Sequence, residues 1–456
     1  MGNENHFKVM GARIFSELND LKRTPEAAAR DLGIEFDELD DVIKGNASME
    51  RVYGVIGKMG QVYPIDSSDL MVPEDDTTNG VRIMRAEEAE KTKRIFERDD
   101  RTGGKTPYYD YRDSAMSRLA PLKPEWIREL RVVGDNNPNN PDVAYNNGHF
   151  MHQITFFKGP VNFYWEDKNG ERHCAEMNTG DSNYITPFHR HSFTSRSQDK
   201  EALILAVTFG GEARRAQKEL YALGERVVED VPDYRDQHKA IGQLLDWHMN
   251  NGKVSVKNLR VRLGEGGREI DLEGVLSGQA PLTPHDRNSL ARVLGIEPSD
   301  LMIPQYNPDE EVVVRQRGEG YSYPGGTERH YEIRELARTS KMPMMKGFDI
   351  RPLRPSVDLL NGFQSSLHGW GYNYGDADIG LAWEIGGEEY GKTLKPGDSF
   401  YMQPYIQHGF SDIDGQGNAE IVTIGVSGAL NLATQRELAY FTDPKRAVRE
   451  TRQWFD

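Results

Sequence analysis

A motif that occurs twice in the chain constrains its architecture more than any other feature of the sequence. Residues 180–193 and 397–410, separated by 217 positions, both read Gly-Asp-Ser-x-Tyr-x-x-Pro-x-x-x-His-x-Phe. A second pair, Ser-Asp-Leu-Met-(Val/Ile)-Pro, occupies 68–73 and 299–304 and is separated by 231 positions. Because the two separations are similar, we infer that one two-part unit is duplicated over the 456 residues.

The two parts of this unit have different sequence patterns. The first part has apolar residues at helical spacing and Thr-Pro helix starts at 24–25 and 283–284, which predict a small all-helical domain. The second part alternates short apolar runs with Gly, Asn and Asp turns. Its runs 154–165 and 202–209, and the turn 167–170, predict antiparallel strands joined by tight turns.

We therefore predict an α+β fold, built as a tandem repeat of a helical domain followed by a β domain. Two acidic and polar stretches between these domains are predicted to be connectors. The predicted boundaries are helical domain 1 at 1–75, a connector at 76–100, β domain 1 at 101–215, a connector at 216–234, helical domain 2 at 235–305 and β domain 2 at 306–456.

Composition excludes several classes of protein. The net charge of −16 opposes nonspecific binding to nucleic acid or to an anionic membrane. No apolar run reaches the roughly 20 residues of a membrane-spanning helix, and the N-terminus lacks the pattern of a signal peptide. The single cysteine, Cys174, excludes an internal disulfide framework. We expect a cytoplasmic protein.

Three residues of the first β domain have the spacing of metal ligands. His149 and Gln153 are four positions apart, so on a strand they project from the same face, and His191 follows at the end of the repeated motif. Two imidazoles and one oxygen donor, with positions left open, suit mononuclear non-haem Fe(II) and oxygen chemistry. The alternative is that they are hydrogen-bonded polar core residues. His152 and His189 are predicted to be surface or supporting groups.

These motifs resemble a known family. The His-x-x-x-Gln strand followed by the Gly-Asp-x-x-x-x-x-Pro-x-x-x-His strand looks like the two motifs of a cupin, a jelly-roll β-barrel. In tandem with helix-turn-helix-like domains, they resemble the non-haem iron cupin oxygenases that include hydroxyethylphosphonate dioxygenase and hydroxypropylphosphonate epoxidase. The resemblance covers nearly the whole chain.

The resemblance implies an activity. It implies cleavage of the carbon-carbon bond of 2-hydroxyethylphosphonate, with dioxygen and one Fe(II) per chain and without 2-oxoglutarate. Glutamine at 153, where most relatives have glutamate, resembles the family members that form methylphosphonate and CO2. The alternative product pair is hydroxymethylphosphonate and formate. Because an amide carries no charge, the metal site stays one unit more positive, which favours a dianionic substrate.

The resemblance also implies which residues bind the substrate. Asn146, Tyr111 and, with less support, Tyr109 match family positions that contact phosphonate. A family arginine has two candidate counterparts here, Arg101 and Lys105. A lysine from a helical domain, often lent by a neighbouring subunit, matches Lys22. We therefore expect a homo-oligomer that acts on a small phosphonate, with no nucleic-acid or membrane partner.

The second β domain is predicted to be a degenerate, structural copy. It retains His408, and His368 stands close to the position equivalent to His149. The counterpart of Gln153 would then lie near Tyr372, which is a poor ligand for Fe(II). A different class of function, a cupin-containing DNA-binding regulator, is disfavoured because residues 1–73 carry 8 Lys and Arg against 13 Asp and Glu.

Overall fold

A computed structural model describes residues 2–264, 270–305, 307–325 and 330–448. The chain forms two compact units. Unit 1 comprises Met1–Phe209, Val314–Arg338 and Met342–Asp456, and unit 2 comprises Gly210–Val313 and Thr339–Lys341. Among the described residues, no helix is both long enough and apolar enough to span a bilayer.

The described helices have the following bounds: α1 Gly2–Asp20, α2 Pro25–Leu32, α3 Phe36–Lys44, α4 Met49–Val62, α5 Ala86–Glu90, α6 Glu212–Arg215, α7 Gln217–Leu223, α8 Arg226–Glu229, α9 Gln237–Asn251, α10 Val256–Leu263, α11 Leu272–Leu276, α12 Pro284–Leu294 and α13 Leu432–Leu438.

The described strands have the following bounds: β1 Val81–Met84, β2 Arg94–Asp99, β3 Lys105–Asp113, β4 Leu122–Glu129, β5 His152–Lys158, β6 Val161–Glu166, β7 Arg172–Met177, β8 Ser182–Ile185, β9 His191–Ser195, β10 Leu203–Phe209, β11 Val312–Arg315, β12 Ser322–Gly325, β13 Tyr331–Glu335, β14 Met345–Pro352, β15 His368–Asn373, β16 Ile379–Ile385, β17 Glu388–Leu394, β18 Ser399–Met402, β19 Gln407–Asp412 and β20 Ile421–Val426.

The helices α1 to α4 at the start of unit 1 pack around a common apolar core that includes Ile14, Leu39 and Ile56, each at most 1% exposed. The predicted helix start at Thr24 is confirmed, because its hydroxyl accepts a hydrogen bond from the N–H of Ala27 at the first turn of α2.

Unit 2 contains the second helical segment, α9 to α12, with its own core around Leu245, Leu259 and Leu290. The predicted helix start at Thr283 is confirmed by the same kind of cap, to the N–H of Asp286. Lys253, between α9 and α10, has φ 55°, and Lys22, between α1 and α2, has φ 57°. The duplication therefore includes a lysine with a left-handed backbone conformation at the same turn of each helical segment.

The strands form four antiparallel-paired sheets, two per repeat. The first copy has a seven-stranded sheet in the order β11-β8-β5-β10-β4-β3-β2 and a three-stranded sheet β7-β6-β9. The second copy has the order β1-β18-β15-β20-β14-β13-β12 with a three-stranded sheet β17-β16-β19. In the first copy Phe157 of the large sheet packs against Phe163 and Phe193 of the small one, so apolar rings fill the space between the sheets.

The predicted connector at 76–100 is not a simple linker. Its strand β1 pairs with β18 at the edge of the second copy's large sheet, and its strand β2 pairs with β3 at the edge of the first copy's sheet. The prediction placed the start of the first β domain at 101 because the polar residues of β2 hide its pairing: the strand is largely exposed on both faces.

The repeated Gly-Asp-Ser motif joins the two copies within unit 1. In the first copy, Asp181 Oδ1 accepts a hydrogen bond from Arg317 N at 2.6 Å, and Ser182 Oγ accepts one from Ala337 N at 2.8 Å. These contacts hold the second copy's leading segment against β8, so the motif has a structural use that is independent of metal binding.

The second copy makes the reciprocal contacts. Asp398 Oδ1 accepts from Ala86 N at 3.0 Å, Asp398 Oδ2 is paired with Arg85, and Ser399 Oγ accepts from Ala115 N at 2.9 Å. Each copy therefore binds the other through the same motif, in the manner of an isologous dimer interface.

Candidate metal centre

His149, Gln153 and His191 come together between the two sheets of the first copy. His149 Nε2 lies 3.2 Å from Gln153 Oε1, and the rings of His149 and His191 are 5.2 Å apart and nearly perpendicular. Gln153 and His191 are buried, and His149 is partly exposed. His191 lies on the same face of β9 as Phe193, which fixes its direction into the space between the sheets.

Backbone carbonyls fix the orientation of both imidazoles. His149 Nδ1 lies 3.0 Å from Met151 O, and His191 Nδ1 lies 2.8 Å from His189 O. A carbonyl only accepts, so each Nδ1 carries the proton and each Nε2 presents a lone pair to the site. Burial lowers the pKa of His191 to about 4, against the opposing effect of the His189 carbonyl, which keeps this imidazole neutral.

The amide of Gln153 is oriented in the same way. Its Nε2 donates to Thr155 Oγ1 at 2.9 Å, so Oε1 is the end that turns toward His149. Thr155 is fully buried two residues along the same strand and the same face. All three donors thus have their other polar end held by the protein.

The donor set fits one divalent cation. Two lone pairs on neutral imidazoles and one amide oxygen are N and O donors suited to Fe(II). Ligand bonds of about 2.1 Å at right angles would place neighbouring donor atoms about 3 Å apart. The 3.2 Å between His149 Nε2 and Gln153 Oε1 matches that spacing, and no proton lies between these two acceptors.

Asn146 lies against this centre. Its Nδ2 donates to His191 Nε2 at 2.9 Å, and its Oδ1 accepts from the N–H groups of His191 and Gly148, both at 3.0 Å. Because the backbone bonds fix the carbonyl end of the amide, its NH2 group points at His191 Nε2 and occupies the lone pair that a bound metal would take. Metal binding at His191 would free this NH2 group.

The two candidate tyrosines differ in their surroundings. The hydroxyl of Tyr109 accepts from Phe193 N at 3.1 Å, and in the second copy Tyr331 makes the same contact to Phe410 N. Tyr109 therefore ties β3 to β9 in the first copy, as Tyr331 ties β13 to β19 in the second. The hydroxyl of Tyr111 makes no hydrogen bond to any residue in the described part of the chain, and burial raises its pKa.

Neither predicted basic residue reaches the interior. Arg101 is exposed and forms an ion pair with Asp142, lowering the pKa of that carboxyl, and Lys105 is exposed at the start of β3. The structure instead brings Arg98 close to Tyr111, where its charge opposes the burial that raises the tyrosine pKa. Arg98 Nε is buried and has no hydrogen-bond partner among the described residues.

Glu129 is a second residue that the sequence reasoning missed. It pairs with Tyr109 in β3. Strands β4 and β5 both pair with β10, and the register across β10 places Glu129 on the same face of the sheet as Gln153. It is 5% exposed, and within the described ranges neither carboxylate oxygen has a hydrogen-bond partner. Burial raises its pKa well above the ordinary carboxyl value. The sequence feature that could have identified Glu129 is an acidic residue within the alternating apolar and polar pattern of β4.

The remaining predicted residues lie apart from the three donors. Lys22 is exposed after α1, and its Nζ donates to Asp20 O at 2.9 Å. His152 hydrogen-bonds Tyr184 and stacks on Phe209, on the opposite face of β5 from Gln153, as predicted. His189 Nδ1 lies 3.2 Å from a backbone carbonyl.

The strand register identifies the counterpart of Gln153 in the second copy. Gln153 pairs with Ile185 in β8, and Gly369 pairs with Met402 in β18. Ile185 and Met402 occupy the same position of the repeated motif, so Gly369 is the counterpart of Gln153. His152 bonds a motif tyrosine at 2.6 Å, and His368 bonds the corresponding tyrosine at 2.7 Å. His368 is therefore the counterpart of His152.

The counterpart of His149 is Ser365. Phe188 N donates to His149 O at 3.0 Å, and Tyr405 N donates to Ser365 O at 2.7 Å. The expectation that His368 stands near the His149 position, with a Gln153 counterpart near Tyr372, is wrong, because it ignored the strand pairing that fixes which face each residue occupies.

A separate group of possible metal donors lies in the turn between β6 and β7. Ligand atoms of Asp167, Glu171 and His173 lie within 4.8 Å of one another. Asp167 Oδ1 accepts from the N–H groups of Asn169 and Glu171, and Oδ2 lies 3.2 Å from His173 Nε2. These hydrogen bonds stabilise a tight turn, which explains why the three side chains lie close together.

Comparison with known proteins gives the same fold over the full length. The chain is 36% identical over 451 residues to methylphosphonate synthase of Nitrosopumilus maritimus (strain SCM1), covering 98% of this chain and 95% of that protein. The chain belongs to the methylphosphonate synthase family. No family model matches the chain.

Solved structures agree with this assignment. The structure of a Streptomyces albus 2-hydroxyethylphosphonate dioxygenase, with its substrate and Fe(II) bound, is 32% identical with a TM-score of 0.88 and covers 99% of both chains. PhpD, solved with cadmium, has the same fold at 19% identity, with a TM-score of 0.73 over 96% of this chain and 98% of its own. The mixed helical and antiparallel-sheet fold is thus that of these enzymes.

Proposed function

We propose that this chain is an Fe(II)- and O2-dependent synthase that converts 2-hydroxyethylphosphonate to methylphosphonate and CO2. The observation that carries the proposal is the set of three oriented donors: both Nδ1 atoms bonded to carbonyls and the Gln153 amide held by Thr155. Membership of the methylphosphonate synthase family and the likeness to a substrate-bound and Fe(II)-bound dioxygenase support it.

His149 Nε2, Gln153 Oε1 and His191 Nε2 would hold the metal. Bound Fe(II) would supply open positions for the substrate and for dioxygen. Because Gln153 is neutral, its site retains more positive charge than a glutamate site and holds a dianion more strongly.

Tyr111, Asn146 and Arg98 would position the substrate. The Tyr111 hydroxyl, the inward NH2 group of Asn146 and the buried Nε of Arg98 are donors of the kind that phosphonate oxygens accept. We assign Arg98 this role in place of Arg101 and Lys105, because those two side chains are exposed. Holding the phosphonate at several donors fixes the reacting carbon relative to the metal.

The domain organisation is part of the proposal. We infer helical domains of helix-turn-helix type at 1–75 and 235–305, each followed by a cupin barrel. The connector at 216–234 is kept, and within 76–100 strand β1 is added to the second cupin and strand β2 to the first. The repeated helix caps, the repeated left-handed lysines and the two sheets per copy support this division. A homo-oligomer in which Lys22 reaches the site of a neighbouring subunit completes the proposal.

Phosphorus NMR tests the product. The apoprotein is loaded anaerobically with Fe(II), given 2-hydroxyethylphosphonate and then exposed to O2, without 2-oxoglutarate. The expected product is methylphosphonate, with one CO2 per turnover.

The second candidate is the dioxygenase activity, favoured by the 0.88 TM-score to a dioxygenase. Hydroxymethylphosphonate and formate as the products would replace the synthase assignment with this one. Formation of neither product would contradict both activities. It would favour the DNA-binding regulator, which a gel shift with DNA over a salt series tests.

A further inference from the structure

The space between the two sheets of the second copy contains a cavity of about 610 Å³. This volume lies within the range of roughly 300 to 1,000 Å³ that small-molecule sites occupy. Rings of Phe348, Phe363, Phe400 and Phe410 line it, together with one imidazole, that of His408. Nothing in the proposed phosphonate chemistry uses this cavity.

The cavity occupies the place that the metal centre occupies in the first copy, with the polar groups replaced. Gly369 stands where the first copy has Gln153, and Ser365 stands where it has His149. Phe363 N donates to the carbonyl of His408, and Asn146 N donates to the carbonyl of His191. Phe363 therefore stands where the first copy has Asn146. One nitrogen donor without these partners does not make a metal site.

Two further replacements increase the apolar character. Phe348 stands where the first copy has Glu125. Lys123 in β4 and Lys346 in β14 are the first interior-facing residues of their strands, and Glu125 and Phe348 each follow two residues later. At Gly371 a Cβ would lie 2.3 Å from the ring of Phe400, so the glycine makes room for that ring. At Gly369 a Cβ would meet only ordinary contacts near 3.8 Å, so this glycine leaves space open.

His408 supplies one hydrogen-bond acceptor to this apolar space. Its Nδ1 lies 3.0 Å from Ile406 O and must carry the proton, so Nε2 presents a lone pair. Burial lowers the pKa of His408 and keeps the ring neutral. No residue in the described ranges donates to Nε2. Other polar groups also line the cavity: Lys346, Gln364 and Ser365, which are exposed, Asn361 and Gln403, whose amides donate to residues outside the cavity, and Thr423.

We propose that this cavity binds a small uncharged molecule with a largely apolar body, whose single hydroxyl or N–H group donates to His408 Nε2. The aromatic lining provides the apolar contacts, and the inward lone pair of His408 Nε2 fixes the orientation of the ligand. The site is separate from the metal centre in the first copy, so its test does not use enzyme activity.

Isothermal titration of the full-length protein with 2-naphthol tests the proposal, with naphthalene and naphthalene-2-sulfonate as comparison probes. We expect one saturable 2-naphthol site per chain. Naphthalene, which lacks the donor, should bind about tenfold more weakly. The sulfonate should not bind, because an anion would lose its hydration in the apolar interior.

Variants locate the site. His408→Phe should weaken 2-naphthol binding at least about tenfold, and Gly369→Leu should abolish it by filling the open space. His368→Phe is the control for the first, since His368 does not line the cavity, and Gly54→Leu is the control for the second, since nothing lies within 4 Å of Gly54. Thermal unfolding verifies that each variant is folded.

Three results would overturn the proposal. They are no saturable binding of 2-naphthol to the wild-type protein, binding that His149→Ala abolishes and His408→Phe leaves intact, and sulfonate binding as tight as that of 2-naphthol. The second result would place the ligand in the first copy, and the third would assign recognition to Lys346. If His408→Phe does not fold, Gly369→Leu alone decides the location.

Discussion

At the scale of single residues, the proposed metal centre depends on groups that would not themselves touch the metal. Thr155 is the clearest case, because its hydroxyl accepts from the Gln153 amide and decides which end of that amide faces His149. A free glutamine side chain has two ends of similar shape and opposite hydrogen-bonding character. Orientation of the ligand is therefore a property of Thr155 as much as of Gln153.

Replacing Thr155 with valine should weaken Fe(II) binding by about tenfold or more, because the amide is no longer held with its oxygen toward the metal. Anaerobic titration with Fe(II) measures the change. Thr194→Val is the matched control, since Thr194 is also fully buried in the first copy but lies near Tyr164 Oη. Equal affinities for Thr155→Val and wild type would show that Thr155 does not orient the ligand.

Glu129 gives a prediction about stability and pH. Burial raises its folded pKa, so the folded protein binds this proton more tightly than the unfolded chain does. The resulting stability is present at low pH and is lost as pH rises above the unfolded carboxyl value of about 4.5. Glu129→Gln should therefore be more stable than wild type at pH 8, by about 1 to 3 kcal/mol, with a smaller difference at pH 5.

Denaturant unfolding at the two pH values measures this difference. Glu97→Gln, on the exposed strand β2, is the control and should change stability little at either pH. A Glu129→Gln variant that is less stable than wild type at pH 8 would show that the carboxylate is ionised and paired in solution.

At the scale of elements, strand pairing assigns roles that sequence spacing leaves open. The repeated motif allowed the prediction of paired strands, the duplication and the three donors. It did not reveal that its own Asp and Ser bind the opposite copy, because those partners lie more than 130 positions away in the chain. For the same reason the equivalence of His368 with His152 required the register of β15 against β18.

The reciprocal motif predicts a large stability effect at Asp398. Its side chain is 2% exposed, pairs with Arg85 and accepts from the N–H groups of Ala86 and Lys395. Asp398→Ala should destabilise the protein by about 1 to 3 kcal/mol, because the N–H groups of Ala86 and Lys395 lose their acceptor.

Urea unfolding measures this loss. Asp414→Ala, an exposed residue of a turn in the same copy, is the control and should stay within about 0.5 kcal/mol of wild type. A loss at Asp398→Ala as small as at Asp414→Ala would mean that the motif does not join the copies.

At the scale of the whole molecule, duplication separates two tasks. The first copy keeps all three donors, whereas the second keeps only the histidine of the motif, His408, and has serine and glycine in place of His149 and Gln153. Both copies keep the motif that joins them. The sequence predicted one active and one degenerate copy. It did not predict Arg98 or Glu129, since a charged residue on a strand has no sequence mark that distinguishes the buried face from the exposed one.

The subunit arrangement is tested by the two left-handed lysines. Lys22→Ala should lower kcat/KM at least about tenfold, whereas Lys253→Ala, in the same turn of the other helical segment, should have little effect. If the protein is a dimer whose neighbouring subunit donates Lys22, an equimolar, randomly reassorted mixture of Lys22→Ala and His149→Ala should recover about a quarter of the activity, because about half of the dimers are mixed and each mixed dimer has one complete site. No recovery in mixed dimers would place the donor within the same chain.

One Fe(II) bound by His149, Gln153 and His191 is proposed to support turnover of 2-hydroxyethylphosphonate. The most direct measurement compares iron content and turnover in wild type, His191→Ala and His408→Ala, because these two histidines hold the same position in the two copies. We expect one iron per chain in wild type and in His408→Ala, both active, and neither iron nor turnover in His191→Ala. An active, iron-bound His191→Ala protein, or loss of iron only in His408→Ala, would contradict it.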